Sequence, residues 1–175
     1  MDSRISRTKL LAAALASALF AFLLFASPGT GHLYINTTPS LPEGLYITTD
    51  SIPVKGDIVV FDAPPEIAGI ADARGWKPAG IPFMKKIGAT AGETYEIREE
   101  DGTLQFYIGT EYIGRVYEKD SQGRPMPLRI GKFDVPEGHF LPIAENEKSF
   151  DGRYYGPIPR KCIRSSAKPL LVIEF

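Results

Sequence analysis

The chain has 175 residues, 43% of them hydrophobic and 23% charged, with 19 aromatics, which supplies one sizeable core and excludes both a disordered chain and a pair of full domains. A formal net charge of −1 offers no general attraction to a polyanion, so nucleic acid is excluded as a partner class. One cysteine, Cys162, and two histidines, His32 and His139, are too few for a disulfide framework, a Cys-rich metal site or a histidine cluster; neither metal nor cofactor is expected.

The first element is apolar. Leu10 to Ala26 is a run of 17 uncharged residues interrupted in its hydrophobic character only by Ser17, with Arg4, Arg7 and Lys9 just before it. At 1.5 Å per residue this helix would be about 25 Å long, about 30 Å with its flanks, close to the thickness of a hydrocarbon core. A cleaved secretory signal normally has a shorter apolar stretch and a small-x-small boundary, whereas Leu24 stands at one of the two recognition positions here. The reading is an uncleaved transmembrane anchor over 1–28 with its N-terminus cytoplasmic. It leaves 29–175, with a formal charge of −3, on the far side of the membrane.

After the breaker Ser27-Pro28-Gly29-Thr30-Gly31 come short apolar runs punctuated by 17 glycines and 15 prolines across the chain, the pattern of a mostly β domain of antiparallel sheets. Strands are predicted at Ile58–Phe61, Phe83–Ile87, Thr103–Ile108, Tyr112–Tyr117, His139–Ile143 and Leu170–Phe175, with hairpin connections at Arg98–Gly102 and Lys119–Pro127. Ala63–Gly80, which holds Trp76, reads as a long surface excursion packing on the domain. Cys162 reads as an inert small residue.

With imidazole scarce, nucleophilic chemistry would rest on a Ser or Thr hydroxyl with lysine as the base. Ser40 stands between Pro39 and the Leu41-Pro42 pair, and the prolines stiffen the backbone that carries its hydroxyl. In Phe83-Met84-Lys85-Lys86-Ile87, strand alternation puts Lys85 on the face of Phe83 and Ile87. A lysine base near pH 8 must shift from about 10.4, which costs about 3.3 kcal/mol and calls for burial. In Ser149-Phe150-Asp151-Gly152-Arg153, a strand would place Ser149, Asp151 and Arg153 on one face, where Asp151 and Arg153 could pair and Ser149 could orient an ammonium. Taken singly, each of these segments also reads as an ordinary turn, solvated lysine pair or salt bridge.

As an ordered set the motifs resemble type I signal peptidases: an anchor, Ser40, Gly-Asp-Ile-Val-Val-Phe at 56–61, Phe-Met-Lys-Lys-Ile-Gly at 83–88, Val-Pro-Glu-Gly-His-Phe at 135–140 and Ser-x-Asp-x-Arg-Tyr at 149–154. Ser-Leu-Pro-Glu-Gly-Leu-Tyr at 40–46 and Ser-Phe-Asp-Gly-Arg-Tyr-Tyr-Gly-Pro at 149–157 are closer to the TraF branch, the conjugative-transfer peptidases that mature pilin precursors. The resemblance implies a signal-peptidase/LexA-like β domain and a serine endopeptidase. In it Ser40 is the nucleophile, Lys85 the general base, Lys86 a second basic residue, and Thr38, with the Ser40 N–H, the oxyanion hole. Ser149 orients the lysine, Asp151 is needed for activity, Arg153 is a structural partner, and His139 is structural.

The implied partners are a membrane-held pilin precursor or other pre-protein, the lipid bilayer and the conjugative transfer machinery, in a bacterial inner membrane with the catalytic domain periplasmic. Pro42 lies two residues after Ser40 rather than three, which favours the transfer branch over a housekeeping signal peptidase. A catalytically silent scaffold is the other alternative. Gly152 departs from the usual Ser of the last motif, and Ile143-Ala144-Glu145-Asn146 replaces the usual Gly-Asp-Asn-Arg before it.

Overall fold

A computed structural model describes residues 7–26 and 33–173; Arg4, the breaker at 27–31, His32 and the last two residues of the predicted final strand lie outside them. Helix α1 (Arg7–Ala26) covers the apolar run, and its Leu10, Leu11, Leu15 and Leu19 are exposed. Among the described residues no helix is long and apolar enough to cross a membrane, so the expected transmembrane helix is not found there. The side chains described in α1 are those of 9–19, and the apolar sequence continues through 20–26.

Residues 33–173 are mostly β. One sheet is built from β1 (Leu33–Asn36), β2 (Glu43–Thr49), β3 (Ile58–Phe61), β4 (Phe83–Thr90), β9 (His139–Ile143), β10 (Ile158–Pro159) and β11 (Ile163–Ile173), in the order β1-β2-β11-β3-β4-β9-β10. A second sheet has β5 (Thr94–Glu100), β6 (Thr103–Ile108), β7 (Glu111–Val116) and β8 (Gly131–Asp134) in the order β7-β6-β5-β8. Every strand pair is antiparallel. The sheets share one core in which Val59, Phe61, Ile87 and Phe140 of the first meet Tyr95, Ile97, Phe106 and Ile108 of the second. Phe61 sets its edge on Phe140 with centroids 5.4 Å apart.

On the other face of the first sheet a smaller cluster gathers Tyr46, Val60 and Ala167. The strand run Ile58–Phe61 reads as continuously apolar because both of its faces are covered. Gly44 of β2 has φ +148°, and a Cβ there would collide with the Leu171 carbonyl oxygen of β11, so glycine is what allows β11 to lie against β2.

The predicted surface excursion is instead built around helix α2 (Pro65–Ala73), entered through Pro64 with Pro65 in its first turn. Ile67, Ile70 and Ala71, spaced three and four apart, face the core, and Trp76 beyond the helix packs at a tilt against Phe150, with ring centroids 5.1 Å apart. The expected strand through Ser149–Arg153 is also replaced. Asp151 caps a short helix α3 (Gly152–Tyr155) by accepting from the Arg153 N–H. Gly152 has a steric cause, since a Cβ there would sit 2.5 Å from the Pro142 carbonyl oxygen.

Candidate active site

Ser40 sits in the turn between β1 and β2, and one side chain shapes that turn. The Asn36 amide nitrogen donates to the carbonyls of Thr38 (2.9 Å), Leu41 (2.9 Å) and Pro42 (3.1 Å), which fixes the orientation of the amide because carbonyls only accept. Its oxygen accepts from the Thr38 N–H at 3.3 Å and the Thr38 hydroxyl at 2.9 Å. Thr38 Oγ1 lies 3.3 Å from Ser40 Oγ, and with the threonine proton directed at Asn36, Ser40 is the donor in that contact. The Glu145 N–H donates to the Ser40 carbonyl at 3.1 Å, and the Tyr46 hydroxyl to the Pro42 carbonyl at 2.7 Å, so the turn is tied at both ends. Sequence patterning missed Asn36, a residue common in turns anywhere; only the three inward carbonyls make it the centre of this one.

Replacing Asn36 by Asp turns a donor for three carbonyls into an acceptor, and kcat is expected to fall about 10²-fold as the turn shifts. The acid side of the pH–rate profile should move to higher pH, because the new carboxylate lines the same cleft as Lys85 and favours its charged form. Unchanged kcat would show that the turn holds its shape without the amide.

Lys85 lies on β4 opposite Val59 of β3, on the core-facing side, and is 5% exposed. Met84 and Lys86 on the other side are half-buried, the alternation expected from sequence. Burial pushes the Lys85 ammonium down to about 8, Asp151 pulls it back up, and Lys77 and Arg153 push it down. Ser40 is 8% exposed, and it lines one cleft of about 680 Å³ together with Thr38, Lys85 and Ser149. The cleft floor and wall are apolar, with Phe83, Trp76, Phe150 and Tyr154 among them. Ser149 is half-buried, and its N–H donates to the Asn146 carbonyl at 3.0 Å.

Asp151 and Arg153 stand outside that lining and are 0% and 1% exposed. Asp151 Oδ1 accepts from the Arg153 N–H (3.0 Å) and Nε (2.8 Å), and Oδ2 from the Ala144 N–H (2.7 Å) and Arg153 Nη2 (3.1 Å). Arg153 also donates from Nη1 to the carbonyls of Arg115 (3.0 Å) and Glu147 (2.9 Å), and from Nη2 to that of Ala144 (3.3 Å). The pairing expected from sequence is present, made by a helix cap rather than a strand face. His139 pairs with Pro159 in the ladder and sets Nδ1 2.8 Å from the Glu137 carbonyl, away from the cleft lining. Chemically the cleft offers the Ser40 hydroxyl, the Thr38 hydroxyl beside it, the Ser149 hydroxyl and a lysine amine that is almost fully buried. Among the described residues no group of acidic, histidine or cysteine side chains could hold a metal ion.

Residues 4–171 match the family of signal peptidases, peptidase S26. The conjugal transfer protein TraF of Agrobacterium tumefaciens (strain 15955) is 32% identical over 173 residues, 90% of this chain and 93% of its own. The plasmid transfer protein TraF of Escherichia coli is 29% identical over 161 residues, 86% of this chain and 89% of its own. A solved signal peptidase I from Enterococcus faecalis V583 aligns with 67% of this chain and 98% of its own at 21% identity and a TM-score of 0.40, a likeness too slight to bear on the fold.

Proposed function

Because the chain belongs to the S26 signal peptidase family, we propose that it works as a membrane-anchored serine endopeptidase that processes, or processes and cyclises, a conjugative pilin precursor. The observation that carries this reading is the buried Lys85, with a pKa near 8, lining the same cleft as Ser40. Neutral Lys85 takes the Ser40 proton as Oγ attacks the peptide carbonyl. The Ser40 N–H and the Thr38 hydroxyl, swung off Asn36, hold the oxyanion; one such donor typically contributes about 10² to 10³ in rate. As the acyl-enzyme forms, the ammonium returns its proton to the leaving amine. Water, or an amine of the substrate itself, then displaces Ser40 Oγ. Ser149 would hold the amine of Lys85 toward Ser40. Asp151 works as a positioning residue, since its two oxygens are already occupied and it meets Lys85 only through its charge.

Similarity to two TraF proteins of plasmid and conjugal transfer favours this branch over housekeeping removal of signal peptides. We read the apolar run at 10–26 as a single-pass anchor in the inner membrane, with 29–175 periplasmic and in reach of the bilayer and the transfer machinery. The exposed leucines of α1 support that reading. Ser40 follows Ala26 by 14 residues, a reach of at most about 50 Å, so the site can meet substrates that are themselves held in the membrane. An extended substrate could add to the free side of β1, which is an edge of its sheet.

Cells making a membrane-held pilin precursor together with the full chain should accumulate a shortened product, linear or, if cyclised, lighter than the linear form by one water. Unprocessed precursor in the presence of the chain would overturn the reading. The pH profile is an independent check. Lys85 acts when neutral, so kcat/KM should rise with pH up to about 8 and level off above it. Asp151 raises the lysine pKa, so Asp151→Asn should move the acid limb to lower pH. An acidic optimum, or a limb that this variant leaves in place, contradicts the lysine base.

A further inference from the structure

The cleft carries more positive charge than the chemistry just described uses. Besides Lys85 it is lined by Lys77, Lys119 and Lys148, while its acidic lining is Asp120. That carboxylate is already engaged, accepting from Arg124 Nε (2.6 Å), from Arg74 Nη1 (3.3 Å) and from the N–H groups of Gln122 and Arg124 (2.9 Å each). Among the described residues no carboxylate lies within 4.0 Å of Lys77, Lys119 or Lys148. Lys77 is half-buried with its ammonium 5.7 Å from the Phe83 ring, and burial lowers its pKa. The chain outside the N-terminal head is acidic overall, yet three unneutralised ammonium groups gather on this one apolar cleft. Lys119 and Lys148 are exposed, but a peptide of small neutral residues would leave the half-buried Lys77 without a partner, and such an ammonium gains most from an anion that arrives with the substrate.

We propose that the cleft selects peptides that carry a carboxylate near the scissile bond, received by Lys77, Lys119 and Lys148. The carboxylate is that of an acidic side chain or of the free C-terminus of the peptide. The inference rests on the peptidase reading and adds a substrate class to it.

The test uses the full chain in neutral detergent and three forms of one alanine-rich peptide: C-terminally amidated and neutral, amidated with one Glu three residues from the cleaved bond, and neutral with a free C-terminus. At least one carboxylate form should be cut with kcat/KM about tenfold above the neutral form, an advantage that shrinks with added salt, and the two forms tell side chain from chain end. In the triple variant Lys77→Gln/Lys119→Gln/Lys148→Gln the ratio should fall toward one, and in the triple Lys→Arg variant it should return. Thermal unfolding would confirm that both variants fold. Equal cutting of all three peptides by the unaltered chain overturns the carboxylate inference and leaves the peptidase reading intact, whereas no cutting of any peptide overturns both. If the Gln variant keeps its peptide preference but loses binding to phosphatidylglycerol vesicles, the lysines serve a lipid headgroup and the inference fails.

Discussion

If Ser40 and Lys85 form the proposed pair, Ser40→Ala and Lys85→Ala should each lower kcat by about 10⁴-fold or more, and the double variant should be no slower than the worse of the two. A nucleophile and its base act as one unit, so once either is gone the other has nothing to do. Residual turnover then comes from the oxyanion donors and from binding alone. Lys85→Met separates chemistry from folding: it removes an ammonium whose burial opposes folding, so the unfolding temperature should not drop even though activity does. Lys85→Arg should be as inactive as Lys85→Ala, because a guanidinium does not give up its proton. Single-turnover cleavage of a synthetic precursor by the full chain measures all five variants. Retention of activity within tenfold by either alanine variant, or losses that multiply in the double variant, would reject the pair.

The second large effect is on stability. Arg153→Ala should destabilise the β unit by about 3 to 5 kcal/mol, because it strands a carboxylate that is 0% exposed. At this size that corresponds to an unfolding temperature lower by about 10 °C. The guanidinium directs its donors to Asp151 and to the carbonyls of Arg115, Glu147 and Ala144, which lie in β7, in the segment before α3 and one residue past β9. Lysine has one nitrogen where arginine has three, so Arg153→Lys should recover little of the loss. Thermal unfolding of the variants tests this. A midpoint within 2 or 3 °C of the parent, or full recovery by lysine, would mean that the neighbouring carbonyls find other donors; a shift that small is worth only about 1 kcal/mol.

What could be read beforehand depended on period. Lys85 was legible because alternation along Phe83–Ile87 separates the two faces of a strand whether or not its neighbours are known. The cores of β3, β4, β6, β7 and β9 came through for the same reason. Strand β2 did not, since Pro42, Glu43 and Gly44 carry turn chemistry, and the reason for Gly44 is β11, which lies far away in sequence. Helix α2 hid among prolines and glycines, although Pro65 followed by Ile67, Ile70 and Ala71 is the signal of a short helix begun at a proline. At Ser149–Arg153 polar and aromatic residues alternate as in a strand, but Asp151 spends its side chain on the backbone ahead of it, and that bond starts a helix instead. Asn36 was beyond any period, because its bonds reach two, five and six residues along a bent chain.

Strand β11 sits between the hairpin that bears Ser40 and the strands that bear Lys85, bonded to β2 on one flank and to β3 on the other. It is also the last of the described strands to leave the ribosome. Until it docks, the hairpin that bears Ser40 shares no ladder with the strands that bear Lys85, and the bond from the Glu145 N–H to the Ser40 carbonyl must hold the turn against the segment just past β9 without that support. Alignment of the two groups is thereby deferred to the end of synthesis.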